Sequence, residues 1–182
     1  SEAGFYANIT QNIPGGNDGN NADFQGPKPG YPHGAREDAK AAYRIFRFGA
    51  NYSRAFMNDW QARVVMTGQY SNDALVSGEQ FGIGGAENVR GFLEREVAND
   101  WGYRANAELY TPDIGAKLGW PSVRTRLLGF VDRGVVLRNS VQPGEADGQA
   151  LASVGMGLRV NAGTNFVMRT DYARVIDAGG TE

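Results

Sequence analysis

The sequence predicts an all-β protein and, within that class, an antiparallel transmembrane β-barrel. Seven segments alternate apolar and polar residues with a period of two, which is the pattern of strands that bury one face. Their apolar faces span about nine to eleven residues, the length that a tilted strand needs to cross a bilayer. The connections alternate between long and short, whereas a soluble β-sandwich would have turns of similar length at both ends.

The first predicted strand runs from Gly4 to Ile13, with Phe5 and Ile9 on one face and Asn8 on the other. The stretch from Pro14 to Lys40 that follows is dense in Gly, Pro, Asn and Asp. Strands and helices tolerate these residues poorly, so we expect a long, solvated loop.

The second and third predicted strands, Phe46 to Phe56 and Trp60 to Ser71, form a hairpin because only a Met-Asn-Asp turn separates them. The second strand is apolar at its even positions apart from Arg54. The third alternates most regularly. It carries Trp60 and Tyr70 at the two ends of its apolar face, as a membrane-interface girdle requires.

Four further strands complete the set, and their ranges are Trp101 to Leu109, Val123 to Asp132, Ala150 to Asn161 and Phe166 to Tyr172. A Gly/Pro-rich turn from Pro112 to Pro121 joins the first two of them, and a polar loop from Asn139 to Gln149 precedes the third. The alternation places Phe130 and Asp132 on the polar face of their strand. Single-chain bacterial barrels have even strand numbers, so an odd count leads us to expect part of a larger barrel.

The connection between the third and fourth strands carries the motif G-I-G-G-A-E-N-V-R-G-F, from Gly82 to Phe92. Its glycines allow positive φ angles and close packing, and Arg90 offers five donors in a rigid fork. The glycines concerned are Gly82, Gly84, Gly85 and Gly91. We predict that this loop folds back over a polar surface and is held there by a carboxylate, for which Asp132 is the candidate.

Three motifs carry a resemblance to a known family: G-G-A-E-N-V-R-G-F, W-G-Y-R-A-N-A-E-L-Y-T-P and G-F-V-D-R-G, in that order. They resemble the C-terminal barrel of the TpsB-type two-partner secretion transporters, a hemolysin and adhesin secretion-activation family in the superfamily of BamA and TamA. The resemblance implies that V-R-G-F lies in an extracellular loop that enters the barrel lumen, where its arginine meets the aspartate of an F-x-D motif. The loop residues that it assigns are Gly84, Gly85, Val89, Arg90, Gly91 and Phe92, and the partners on the lumen wall are Phe130 and Asp132.

By this resemblance, residues 1–182 are the C-terminal portion of an outer-membrane translocator barrel, with about seven of the family's sixteen strands and a motif loop at residues 73–101. The final strand and the periplasmic POTRA domains would lie outside this chain. The implied function is secretion of a hemolysin- or adhesin-type exoprotein across the bacterial outer membrane, with that exoprotein and membrane lipid as partners and no cofactor. Two other functions stay open, namely protein insertion of the BamA or TamA type and passive diffusion through a porin. The number of upstream POTRA domains would separate them.

The charges on the predicted polar faces are mostly positive. They are Arg47, Arg63, Arg104, Arg124, Arg126, Arg159 and Arg169, against Glu108, Asp132 and Asp171. The chain as a whole has a net charge of −2, so its acids lie mainly in loops. We therefore predict a lumen wall that is net positive in this part of the barrel and favours anions.

Several other functions are disfavoured. A net charge of −2 argues against a nucleic-acid partner, the absence of cysteine excludes a disulfide framework, and no metal-ligand spacing occurs. The glycines of the motif match neither the dinucleotide pattern nor the P-loop pattern, so no nucleotide is expected. No enzyme is expected either: G-x-S-x-G is missing, the one histidine, His33, lies in the first long loop, and Glu94 and Glu96 fit solvated loop charges.

Overall fold

A computed structural model describes residues 1–16, 19–26 and 36–180 and has an all-β architecture there. The strands are β1 (Glu2–Gln11), β2 (Arg44–Phe56), β3 (Trp60–Tyr70), β4 (Phe81–Ile83), β5 (Val97–Asn99), β6 (Trp101–Tyr110), β7 (Val123–Leu137), β8 (Gly148–Ala162) and β9 (Phe166–Ala178). The helical segments are short: α1 (Asn21–Gln25) and two 3₁₀ turns, Met57–Asp59 and Ala116–Leu118. No helix in these described ranges is long and apolar enough to span a membrane.

Seven of the strands form one antiparallel sheet in the order β1-β2-β3-β6-β7-β8-β9. The prediction of an all-β chain with seven long strands is confirmed. In the described part of the chain, β1 and β9 each pair with one neighbour, so the sheet is open and corresponds to part of a barrel wall. The short hairpin β4–β5 lies apart from this sheet, inside the motif loop, and was not predicted.

The strand register gives the sheet one polar and one apolar face. Directly opposite residues share a face, and the polar face runs from Arg63 opposite Glu108 on to Asn106 opposite Asp132. The other face exposes large apolar side chains on every long strand, among them Phe5, Ile9, Tyr52, Val64, Met66, Leu109, Leu127, Val131, Met156 and Tyr172. A continuous apolar surface of this extent is unusual on a soluble monomer and fits contact with lipid.

Two sequence-based expectations need correction, and one lies outside the described residues. The loop predicted from Pro14 to Lys40 contains one helical turn, α1, whose first turn is capped by a hydrogen bond from Asn20 N to the Asp23 carboxylate at 2.9 Å. The strands β7 and β9 extend to Leu137 and Ala178, because their ladder hydrogen bonds continue where the alternation is weak. His33 lies outside the described residues.

Two small apolar clusters lie on the polar face of the sheet. One contains Tyr43, Ile45 and Leu75, near the start of β2 and the start of the motif loop. The other joins the motif loop to β7 and β8. It consists of Ile83, Val89, Val136 and Leu151, with Phe81, Phe92 and Val97 packed against it. This second cluster explains why the loop rests on the sheet, since apolar side chains on the loop meet apolar positions of β7 and β8 next to the connection between these strands.

Candidate functional site

The motif loop occupies residues 71–100, because β3 ends at Tyr70 and β6 begins at Trp101. It folds back onto the polar face, and the β4–β5 hairpin closes its stem by pairing Ile83 with Val97. Ile83 lies directly over Gly134 of β7, where a Cβ would be only 2.9 Å from the Ile83 Cδ1 atom. Glycine at that position therefore allows the stem to sit against the wall.

The glycines of the motif shape the tip of the loop. Gly84, Gly85 and Gly91 have φ angles of +102°, +117° and +93°, which side chains rarely adopt. Gly82 lies in β4 without a positive φ but is closely packed, since a Cβ there would be 2.9 Å from the Arg95 Cγ atom. At the tip, a Cβ on Gly91 would be 3.2 Å from the Cβ of Ala173, so the loop reaches across to β9.

Arg90 is the centre of the contact between loop and wall. Its Nε donates to Asp132 Oδ2 at 2.7 Å and its Nη2 donates to Asp132 Oδ1 at 2.7 Å, which is the bidentate geometry of the strongest arginine–carboxylate pairs. The backbone N–H of Arg90 donates to the same carboxylate at 3.1 Å, and its Nη1 donates to Glu108 at 2.9 Å. The Arg90 side chain is 7% exposed and that of Asp132 is 0% exposed. We call this pair the Arg90–Asp132 lock.

The wall residues around the lock support it from two sides. The guanidinium carbon of Arg90 lies 3.4 Å from the centroid of the Phe130 ring, within the range of a cation–π contact. Asn106 Nδ2 donates to Asp132 Oδ1 at 2.9 Å and also to the Asn88 carbonyl of the loop. Gly155 lies opposite Phe130, and a Cβ there would be 2.4 Å from the ring. Sequence reasoning gave no role to Asn88, Asn106 or Gly155. The first two lie within quoted motifs, but their contacts depend on how the loop folds against the wall, and no motif includes Gly155.

The lock keeps Arg90 charged although it is buried. Burial alone would lower the pKa of Arg90, but the hydrogen bonds and negative charges of Asp132 and Glu108 outweigh that effect and raise the pKa. Each oxygen of the Asp132 carboxylate accepts two hydrogen bonds, so the buried anion is fully satisfied. Such a pair is strongly sensitive to removal of one partner, because the other charge is then left buried without compensation.

A cavity of about 770 Å³ lies beside the lock on the polar face. The arginines that line it are Arg63, Arg90, Arg124, Arg126, Arg159 and Arg169, and the strand acids among its lining residues are Glu108 and Asp171. Arg126, Arg159 and Arg169 lie directly opposite one another on three neighbouring strands, an arrangement of like charges that is unfavourable unless compensated.

Carboxylates compensate part of this row. Asp171 forms two hydrogen bonds with Arg159, at 2.8 Å and 3.0 Å. Asp59, in the β2–β3 turn, accepts a 2.5 Å hydrogen bond from Arg126, which lowers the pKa of Asp59. Arg124 is exposed to the cavity, and within the described residues its side chain acts on Asp59 and Asp113 through its charge, which helps to lower the pKa of both carboxylates.

Acidic residues of the motif loop also contact arginines of the polar face. The predicted charge balance included only residues on the strands and therefore left these acids out. Glu87 lies 3.7 Å from Arg169, and Glu79 binds Arg47 at 2.9 Å. The predicted positive excess is therefore smaller than the strand residues alone suggest. Arg47 and Arg104 lie outside the cavity lining, and Arg104 Nε donates to the Thr67 hydroxyl at 2.8 Å.

The remaining acids of the loop do not form a reactive cluster. Glu94 and Glu96 are exposed and accept hydrogen bonds from the backbone N–H groups of Ala86 and Leu93, at 2.9 Å and 2.7 Å. Within the described ranges, no group of three or more histidine, cysteine or acidic residues could hold a metal ion.

Comparison with known proteins gives one family. The model of the haemolysin secretion/activation protein family ShlB/FhaC/HecB matches residues 17–160, which is well over half of the chain. No curated protein and no solved structure matches. The matched range contains the whole motif loop and the Asp132 strand, so the family and the folded-back loop concern the same residues. The chain belongs to the haemolysin secretion/activation family, the TpsB transporters of two-partner secretion.

Proposed function

We propose that this chain forms part of the wall, and the locking loop, of an outer-membrane pore that secretes a partner exoprotein. The observation that carries the proposal is the motif loop folded against the polar face and held there by the Arg90–Asp132 lock. The family match supports the same function. A protein in transit needs a hydrated polar wall, and a loop held by noncovalent bonds can brace that wall or move away from it.

The different chemistry of the two faces of the sheet supports a location in the outer membrane. The polar face would line the lumen, and the exposed apolar face would contact the lipid of the bacterial outer membrane. Residues 1–182 would then be part of a translocator barrel. The proposed partners are a hemolysin- or adhesin-type exoprotein and membrane lipid. No step of the proposal requires a nucleotide or another cofactor.

Deletion of the gene in the native host tests this function. We expect the partner exoprotein to disappear from the culture medium and to return when the intact gene is supplied, as measured by immunoblotting. Unchanged secretion would contradict the proposal. In that case, a general loss of outer-membrane proteins would favour an insertase of the BamA or TamA type, and reduced uptake of small solutes would favour a porin.

The arginines of the cavity give a second expectation, that the pore prefers anions. In planar bilayers under a salt gradient, the intact protein should show a reversal potential on the anion-selective side. Replacing two of the exposed cavity arginines, Arg124→Gln with Arg169→Gln, should lower the ratio of chloride to potassium permeability by about twofold or more, because the local potential sets ion concentration in the pore.

The matched control is Arg133→Gln on β7. Arg133 lies opposite Ala105 and Ala152 and is absent from the cavity lining, so its replacement should leave the permeability ratio unchanged. A cation-selective pore in the unmodified protein would refute the prediction.

A further inference from the structure

A second buried ion pair lies at the base of the motif loop, away from the Arg90–Asp132 lock. It joins Arg36, in the β1–β2 connection, to Asp100, the residue just before β6. Arg36 Nη2 donates to Asp100 Oδ2 at 2.8 Å, and Nη1 donates to Oδ1. The side chains are 11% and 0% exposed. The pair is therefore nearly as well shielded from water as the lock, whose side chains are 7% and 0% exposed.

The same two side chains bind the backbone of two further segments. The Asp100 carboxylate accepts hydrogen bonds from the N–H groups of Leu75 and Asn139, at 2.8 Å and 2.6 Å. Arg36 donates to the carbonyls of the same two residues, at 2.8 Å each. Leu75 belongs to the start of the motif loop and Asn139 to the β7–β8 connection. One ion pair thus connects three separate connections of the sheet.

Asn139 extends the network with its side chain. Its Nδ2 donates to the carbonyls of Ser71 and Asp73, at 2.9 Å and 3.0 Å, where the motif loop leaves β3. Leu75 is fully buried against Tyr43 and Ile45, so the network lies next to a small apolar cluster. Because every oxygen of the Asp100 carboxylate is used, Asp100 is not a solvated loop charge.

We propose that Arg36, Asp100 and Asn139 form a rim clasp that positions the motif loop for the Arg90–Asp132 lock. Asp100 lies at the end of the loop and binds Leu75 near its start, so it fixes the distance between the two ends. Arg90 lies between these two points, and its guanidinium must meet Asp132 within hydrogen-bond geometry. The rim clasp holds the base of the loop and the lock holds its tip.

Two consequences follow for the movement of the loop. Loss of the rim clasp frees the base, which raises the entropy of the open loop and lowers the population in which Arg90 reaches Asp132. The clasp also makes the β1–β2 and β7–β8 connections part of the same unit, so displacement of either connection is transmitted to the lock. This inference rests on the proposed function only for the reason why the loop would move. Its test does not measure secretion.

Cysteine labelling at Val89 tests the rim clasp. The chain has no cysteine, and Val89 is fully buried one residue before Arg90, so Val89→Cys in the intact protein reports whether the loop tip lies against the wall. In assembled protein in outer membranes, a membrane-impermeant maleimide should label this cysteine slowly. Adding Asp100→Ala or Arg36→Ala should accelerate labelling by about 100-fold, because a buried ion pair loses one partner.

Two further variants calibrate the result. Lys40→Gln removes an exposed rim pair, since Lys40 is 61% exposed and lies 3.7 Å from Asp73, and should leave the labelling rate unchanged. Arg36→Lys keeps the charge but loses the bidentate fork, and should give an intermediate rate even where the alanine variants do not assemble. Protection of the Val89→Cys thiol that persists in Arg36→Lys and in every alanine variant that assembles would overturn the proposal. Failure of the unmodified protein to secrete would overturn the proposed function and leave this result standing.

Discussion

Secretion of the partner exoprotein is expected to fail when Arg90 is replaced by alanine, in protein that still assembles in the outer membrane. Arg90→Ala leaves the fully buried Asp132 with Asn106 as its remaining side-chain donor. Removing one partner of a buried, hydrogen-bonded ion pair costs about 3 to 5 kcal/mol. The lost hydrogen bonds join the loop to the wall and are not part of the strand pairing. We therefore expect the loop to leave the wall while the strands of the sheet stay paired.

The two halves of the lock should not be equivalent. Asp132→Ala removes the bidentate partner, but Arg90 keeps its 2.9 Å hydrogen bond to Glu108. We therefore expect a smaller loss for Asp132→Ala, near 3 kcal/mol, than for Arg90→Ala. Arg90→Lys should fall between the unmodified protein and Arg90→Ala, because lysine keeps the charge and loses the planar fork that lies on Phe130.

The charge-swapped pair, Arg90→Asp with Asp132→Arg, should restore part of the secretion lost in either alanine variant. Restoration should be incomplete, because the backbone N–H of residue 90 loses the Asp132 carboxylate as its acceptor and Phe130 loses its cation–π contact with the Arg90 guanidinium. Partial recovery in the swap would identify the ion pair itself, rather than side-chain volume, as the property that secretion needs.

The measurement is exoprotein in the medium, with assembly followed by heat-modifiable gel migration. Arg95→Ala is the matched control in the same loop, since the Arg95 side chain is exposed and donates only to the carbonyls of Ser77 and Gln80 within the described ranges. It should secrete at the level of the unmodified protein. If all lock variants secrete normally, the loop is a brace at most and the porin alternative gains support.

Replacing Gly155 with alanine is expected to have the second large effect, on assembly as well as on the lock. An added Cβ would lie 2.1 Å from the Tyr172 carbonyl oxygen and 2.4 Å from the Phe130 ring. The first contact is with backbone, so β8 and β9 must separate locally. The second moves the ring on which Arg90 rests. Overpacking of this kind costs about 1 to 3 kcal/mol.

The cost in stability is measured as the temperature at which half of the protein loses its heat-modifiable gel migration. Secretion of the exoprotein shows whether the Arg90–Asp132 lock still forms. Gly129→Ala on β7 is the control, because the nearest atom to an added Cβ there is the Gly155 carbonyl oxygen at 4.0 Å. Its effect on stability should stay within about 0.5 kcal/mol. Equal midpoints for Gly155→Ala and Gly129→Ala would refute the packing argument.

The amino-acid sequence alone was enough to locate the seven long strands and the polar side of each. Strand alternation is a local property: each residue's face depends on its parity along the chain, so Asp132 and Glu108 could be assigned to one face without knowing any contact. The glycine-rich motif likewise predicted a loop with positive φ angles, which Gly84, Gly85 and Gly91 adopt.

Tertiary structure alone determined which charged groups meet. Asp100 and Arg36 are 64 residues apart, and Asn139 lies 39 residues from Asp100, so no period or spacing relates them. The β4–β5 hairpin has three residues per strand, too few for alternation to be visible. The pairing of Glu79 and Glu87 with wall arginines depends in the same way on the path of the loop. Which side chains meet in irregular segments depends on the folded path of the backbone. The pattern of neighbouring residues in the sequence does not encode that path in a readable form.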